Sequence, residues 1–453
     1  MAENKMGTMP VTKLILSMSL PAIFSMLIQS LYNIVDSIFV SALGEDALTA
    51  VSLAYPMQML IVAFAVGTGV GVNSLIARRL GEKRQEEANH AAVHGIVLSI
   101  ITWVIFALIG IFFTKPFILG MASGNNDVSQ NIINWGIDYM SVVMIFSFGA
   151  FICVSFEKSI QATGNMFYPM IFQLLGAIIN IILDPIFIFG YFGVPAFGVK
   201  GAAIATVLGQ ILSMVYAVYV VCKKDFAVKF NLKGFKFRLK TVKDIYAVGI
   251  PSIVMQSIAS VLITFLNKIL ILLTPTAVTV LGVYFKLQSF VFMPVFGLTQ
   301  GVMPIMGYNF GAKNKARLKE TVKKGVIFAF SIMAAGTLLF MIIPKQLLMI
   351  FNASKDMLKI GIPALRTISI NFMPAAIGIM FGTFFQAIGK GVYSLIISFL
   401  RQIIILLPAA KILSYLGVTY VWYAFPIAES VALVVSIFMY ISVYNKKIRT
   451  LGN

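Results

Sequence analysis

Apolar runs of about 20 residues or more recur along nearly the whole chain. Each is long enough to cross a bilayer as a helix, and their number leaves little sequence for anything else. Only 11% of the 453 residues are charged and 59% are apolar, too few charges to coat a soluble fold of this size. The pattern predicts an all-α polytopic membrane protein. Its first run, Leu14 to Val40, is too long for the core of a cleaved signal peptide and has no small-residue cleavage site.

Twelve helices are expected, near 13–40, 47–76, 90–113, 130–154, 160–189, 199–222, 244–273, 276–305, 321–343, 356–385, 388–411 and 420–444. The net charge of +19 raises nucleic acid as a partner, but the placement of the charges argues against it. With both termini in the cytoplasm, 25 Lys and Arg fall at inner positions and 6 at outer ones, leaving Lys268, Lys286, Arg366 and Arg401 within helices. This asymmetry is the positive-inside pattern. The basic stretch 223–243 is then a cytoplasmic linker lying along anionic headgroups. Cys153 and Cys222 fall near cytoplasmic helix ends, so no disulfide is expected.

The chain is written twice. An offset of 230 residues places Gly67, Gly71, Gly81 and Gly95 on Gly297, Gly301, Gly311 and Gly325, and Pro21 on Pro251. "QATGN" (161–165) matches "QAIGK" (386–390) at an offset of 225. This divides the chain into an N-terminal six-helix bundle (1–222), the linker (223–243) and a C-terminal six-helix bundle (244–453). Six helices per half give both halves the same orientation. A pseudo-two-fold axis along the membrane normal is expected, with a cavity between the halves.

An ionised side chain at membrane depth costs about 2.5–3.5 kcal/mol on insertion scales, so embedded acids are functional candidates. By the helix boundaries above these are Asp36, Asp138, Asp184 and Glu429. Asp36 lies 23 residues from Lys13, and Asp184 lies 23 from Gln161. Both therefore reach about 35 Å along their helices, at one height. Asn180 shares a helix face with Asp184, and Thr206 descends to the same level. Two ionised carboxylates side by side repel, which suits a pair that holds one proton. Alternatively the four residues form an oxygen-rich shell for sodium. The repeat partners of the two acids, Leu266 and Leu407, are apolar, which places ion coupling in the N-terminal half.

Other signals are weaker. Glu429 is expected to pair with Arg401 or Lys286, or to meet a cationic substrate. Tyr139 is a candidate lining residue of the substrate cavity, and Asp138 reads as a solvated residue near a helix start. His90 and His94 share a helix face, but no third ligand is in reach, so no zinc site is expected.

"VDSIFV" closing the first helix, "ARRLG" after the second, "QATGN" opening the fifth and "LDP" near its end resemble, in order and spacing, the multidrug and toxic compound extrusion (MATE) family, in its bacterial and archaeal DinF-like branch. The resemblance implies export of amphipathic, often cationic molecules, driven by inward flow of protons or sodium. It implies ion-coupling roles for Asp36, Asp184, Asn180 and Thr206. No cofactor, nucleic acid or enzymatic activity is implied, and a monomer in a prokaryotic inner (plasma) membrane is expected. The rivals are a lipid-linked oligosaccharide flippase of the same superfamily, for which Lys268, Lys286 and Arg401 would face a pyrophosphate, and an intramembrane acyltransferase. The latter lacks a nucleophile, base or metal constellation.

Overall fold

The computed structural model describes residues 4–122, 129–231, 235–351 and 353–451; the middle of the linker, 232–234, lies outside them. Every regular element among the described residues is helical. Ten helices are long and apolar enough to cross a membrane, and two bent pairs complete twelve spans. The first three are Val11–Ser41, Glu45–Gly81 and Gln85–Ala122. The fourth is Gln130–Ile145 with Phe148–Ala162, bent by 43°. The fifth and sixth are Phe167–Phe189 and Val199–Lys223. The seventh to ninth are Leu239–Ile271, Pro275–Gly311 and Lys315–Ile342. The tenth is Lys355–Ser369 with Phe372–Ala387, bent by 46°, and the last two are Gly391–Ser414 and Val418–Ile448.

The two breaks fall at equivalent places in the repeats, Phe146–Ser147 and Ile370–Asn371. Pro374 sits in the first turn after the second break, where a missing N–H costs nothing. The first break has no proline. There Gly149 lets the helix press against the sixth span, since a Cβ on it would stand 2.8 Å from the Ile211 nitrogen. The fourth span therefore ends at Ala162 rather than near 154, and the fifth begins at Phe167 rather than near 160.

Two compact units form. One gathers Leu27–Ile76 and Arg84–Ile253; the other gathers Met1–Met26, Ala77–Lys83 and Val254–Asn453. The start of the seventh span thus belongs with the earlier helices, and the start of the first with the later ones. Glycines explain this. In the first unit, a Cβ on Gly67 would meet the Ile253 nitrogen at 2.8 Å, and one on Gly71 the Gly249 nitrogen at 3.1 Å. In the second unit, Gly297 meets the Ile23 nitrogen at 2.6 Å and Gly301 the Ser19 nitrogen at 2.8 Å. Each contact maps onto its counterpart by the offset of 230. Backbone contacts this close admit only glycine. Within the second unit the symmetry closes on itself, because Gly81 faces the Tyr308 carbonyl while Gly311 faces that of Arg78.

The described part of the linker is tied to the third span through its backbone. Gln85 Nε2 donates to the Ala227 carbonyl, Asn89 Oδ1 accepts from the Lys229 amide, and His94 Nε2 accepts from the Arg238 amide at 2.8 Å. The other ring nitrogen of His94 bonds the His90 carbonyl at 2.7 Å, which sets it as the N–H donor. Both cysteine thiols are free, Cys153 buried and Cys222 exposed.

Candidate functional site

The first unit brings together all four residues expected to couple ions. Asp184 is fully buried, Asn180 and Thr206 nearly so, and Asp36 partly. In the amide orientation that satisfies its neighbours, Asn180 Nδ2 donates to Asp184 Oδ2 at 3.0 Å. Asn180 Oδ1 accepts from the Thr206 amide at 3.0 Å and from its hydroxyl at 3.2 Å. The carboxyl of Asp36 reaches hydrogen-bonding distance of Asp184, and its Oδ1 is buried with no other protein partner. A glycine contact sets this spacing. A Cβ on Gly209 would stand 2.8 Å from the Gly176 carbonyl, so the fifth and sixth spans touch backbone to backbone one turn from Asn180.

Two tyrosines close the cluster. Tyr32, four residues before Asp36 on the same face, hydrogen-bonds Thr206. Sequence reading missed it, although the i, i+4 spacing from Asp36 was there to find it. Tyr139 is buried beside Asp36 and Tyr32, with its hydroxyl bonded to Gln58. Sequence reasoning grouped it, as a lining of the substrate cavity, with Glu429, Lys286 and Arg401, which belong to the other unit. Asp138, half-exposed, faces Lys200 at 3.9 Å.

The inventory of embedded acids was incomplete. Because the fourth span runs to Ala162, it carries Glu157 and Lys158 into the interior, 5% and 6% exposed. Glu157 Oε2 accepts from Gln173 Nε2 at 3.0 Å, and Oε1 faces the Cys153 thiol at 3.9 Å. Lys158 Nζ donates to Gln161 Oε1 at 3.1 Å.

In the second unit, Arg401 Nη1 donates to both oxygens of Glu429, at 3.2 and 3.3 Å. Glu429 is buried and Arg401 is 27% exposed. Arg401 sits in a π-helical turn, Leu400–Leu406, a rare geometry often found at functional positions. Lys286 is exposed, its ammonium over the Phe351 ring at 5.9 Å, so the structure gives Glu429 the arginine of its two expected partners. Lys268 lies likewise over Phe265.

Comparison with known proteins follows the same outline. A family model described as MatE matches residues 21–186 and 251–412. A protein described as multidrug export protein MepA, from Staphylococcus haemolyticus, is 26% identical over 438 residues, covering 96% of this chain and 94% of that protein. A FAD transporter from Shewanella oneidensis is 26% identical over 430 residues, covering 93% and 92%. Among solved structures, the outward-facing conformation of a multidrug resistance MATE family transporter of the MOP superfamily superposes with a TM-score of 0.90 at 30% identity, covering 98% of this chain and 99% of that one. A MOP superfamily transporter from Pyrococcus furiosus, described by a reversed polarity of its binding pocket that suggests a different function, superposes with the same figures. The two matched segments begin at Pro21 and Pro251, the pair related by the offset of 230. With its twelve spans and its repeat, the chain belongs to the MatE family of multi-pass membrane transporters.

Proposed function

We propose that this protein exports small amphipathic molecules, often cationic, by alternating access, driven by protons that enter through the Asp36–Asp184 pair. The observation that carries the reading is the meeting of two carboxyls: Asp36 reaches hydrogen-bonding distance of the buried Asp184. Asn180 Nδ2 donates to Asp184 in either orientation of its amide. Two carboxylates in contact and out of water repel unless a cation sits with them. A proton placed between them needs no further ligand, whereas sodium would need several oxygens, by analogy with other hard cations. Binding a proton removes the repulsion, and that is the free energy a conformational change can use. The cell membrane of a prokaryote, cytoplasmic termini and a monomeric state complete the proposal.

One observation bears on an anionic substrate, as the name of the FAD transporter invites. Arg401 is the embedded cation of the second unit that the sequence offers to an anion, and it is neutralised by Glu429. A cationic or zwitterionic amphiphile fits this charge balance better.

The test is a double-mutant cycle on Asp36→Asn and Asp184→Asn in proteoliposomes, with ethidium as the probe and pH and sodium gradients imposed separately. Groups holding one proton act as a unit, so the double variant loses little more than either single one. Transport that follows the sodium gradient alone overturns the proton; additive losses overturn the shared site.

A further inference from the structure

The Glu157 cluster lies in the same unit as the carboxyl pair, and the fifth and sixth spans connect the two. On the fifth, Gln173, Ala177, Asn180 and Asp184 follow at spacings of four, three and four, along one helix face. On the sixth, Thr206 and Ser213 lie seven apart, again on one face. Ser213 Oγ donates to the Phe172 carbonyl at 2.6 Å and lies 3.3 Å from Cys153 Sγ. Between the two clusters stands the glycine crossing of Gly209 on Gly176. Asn180 and Gln173 are seven residues apart, about 10 Å along the axis.

Burying a carboxyl and an ammonium is costly, and a purely structural role would need a structural reason for them. The repeat shows that the fold needs neither. At the offset of 225, the partners of Glu157 and Lys158 are Gly382 and Thr383, and that span bends in the same place by nearly the same angle. The charges therefore belong to this copy alone, which is also the copy that holds Asp36 and Asp184.

The surroundings are suited to a carboxyl that changes protonation. One oxygen of Glu157 has the Gln173 amide as donor; the other has only a thiol, at the long limit of a hydrogen bond. Lys158 is its charged neighbour, Cys153 its titratable one, and the fifth and sixth spans present Gln173 and Ser213. The oxygen atoms Gln173 Oε1 and Asn73 Oδ1 are buried with no protein partner, and Asn73 Nδ2 donates to the Lys158 carbonyl. Acceptors of this kind suit a buried water, which can relay a proton between stronger bases.

We propose that Glu157 is a second protonatable station of this unit, taking a proton from the Asp36–Asp184 pair and passing it on toward the Gln161 end of the bundle. The transfer balances simply. The pair loses one proton, the Glu157 carboxylate gains it and becomes neutral, and it then loses the same proton to water. The proposal rests on proton coupling at Asp36 and Asp184, and the experiment separates the two.

Proteoliposomes loaded with a pH-sensitive dye receive full-length protein, and ethidium-driven proton flux is recorded for wild type, Glu157→Gln and Asp36→Asn. The Gln side chain keeps the shape and still accepts from Gln173 but cannot carry a proton. Glu157→Gln is expected to slow proton flux by about 100-fold, the usual weight of a positioned acid–base group, while ethidium affinity stays at the wild-type value. Asp36→Asn abolishes flux if the coupling reading holds; if it does not, that reading fails and this proposal with it. Wild-type flux in Glu157→Gln, with flux abolished in Asp36→Asn, overturns Glu157 alone. Gln173→Leu gives an independent measurement should Glu157→Gln not fold. Loss of the donor disfavours the ionised carboxylate, so the pH profile of flux should move to higher pH; an unmoved profile overturns the proposal.

Discussion

Two glycines meet where the fifth and sixth spans cross, and the structure assigns them opposite fates. A Cβ on Gly176 would find Ser213 Cβ at 3.6 Å and the Gly209 carbonyl at 3.7 Å, both ordinary contacts. Gly176→Ala therefore gains helix propensity, about 1 kcal/mol or less, without strain. A Cβ on Gly209 would stand 2.8 Å from the Gly176 carbonyl. That oxygen is backbone and cannot rotate away, so the spans must part by about 0.6 Å to regain van der Waals contact. Overpacking of this kind costs about 1–3 kcal/mol and outweighs the propensity gain. Asn180 is one turn away, and its 3.0 Å bond to the Thr206 amide would stretch to about 3.6 Å, no longer a useful hydrogen bond. Losing it costs about 1 kcal/mol or somewhat more, which is roughly tenfold in any step that depends on it. Thermal unfolding in detergent and proton-driven ethidium transport in proteoliposomes are the assays. Gly176→Ala should raise the midpoint and keep transport; Gly209→Ala should lower the midpoint and cut transport about tenfold. Equal behaviour of the two variants, or full transport in Gly209→Ala, would show that the crossing does not set the geometry of the site.

Breaking the Arg401–Glu429 pair from one side should cost more than removing it. Glu429→Gln is expected to destabilise the fold by about 1–3 kcal/mol, the buried-pair figure reduced because Arg401 is partly exposed, and Arg401→Met with Glu429→Met should recover most of the lost unfolding midpoint; a double variant as unstable as the single one would contradict the pairing. His94→Phe keeps an aromatic ring against Phe235 and Phe237 but removes the acceptor for the Arg238 amide. Limited trypsin digestion should then cut the linker faster, with transport unchanged, and an unaltered digestion pattern would mean that the other two backbone ties suffice.

Asp36, Asp184, Asn180 and Thr206 were legible as polar residues set in apolar helices, but the equal count of 23 residues was not sound for Asp184. Gln161 belongs to the fourth span, and Asp184 lies 17 residues from the start of its own helix at Phe167, against 25 from Val11 for Asp36. Tyr32 was legible in the same way but was passed over, since one tyrosine among 16 carries no signal until its neighbour is known to matter. Glu157 was missed for a different reason. Two adjacent charges after a greasy run look like the end of a span, because hydropathy measures the cost of meeting lipid and not the cost of meeting protein. Here the segment bends at Phe146–Ser147, and the part beyond the bend is enclosed by neighbouring helices. The bend itself has no proline to announce it. Just beyond it Gly149 presses against the Ile211 backbone, a tertiary contact that no local pattern encodes.

The repeat separates what the fold requires from what the chemistry requires. The features that recur at fixed offsets are backbone features: the paired glycine contacts of Gly67 with Gly297 and Gly71 with Gly301, and the breaks in the fourth and tenth spans. None of them places a charge. The charged positions do not recur: Asp36 answers to Leu266, Asp184 to Leu407, Glu157 to Gly382 and Lys158 to Thr383. If those side chains held the bundle together, the copy that lacks them would need a substitute at the same places. It has glycine, threonine and leucine there and reaches the same bend. The desolvation borne by the acids of the first unit is therefore not offset by any demand of the fold. A function that uses the charge remains as the reason for it, and the Gly209–Gly176 crossing keeps the groups that serve it in register.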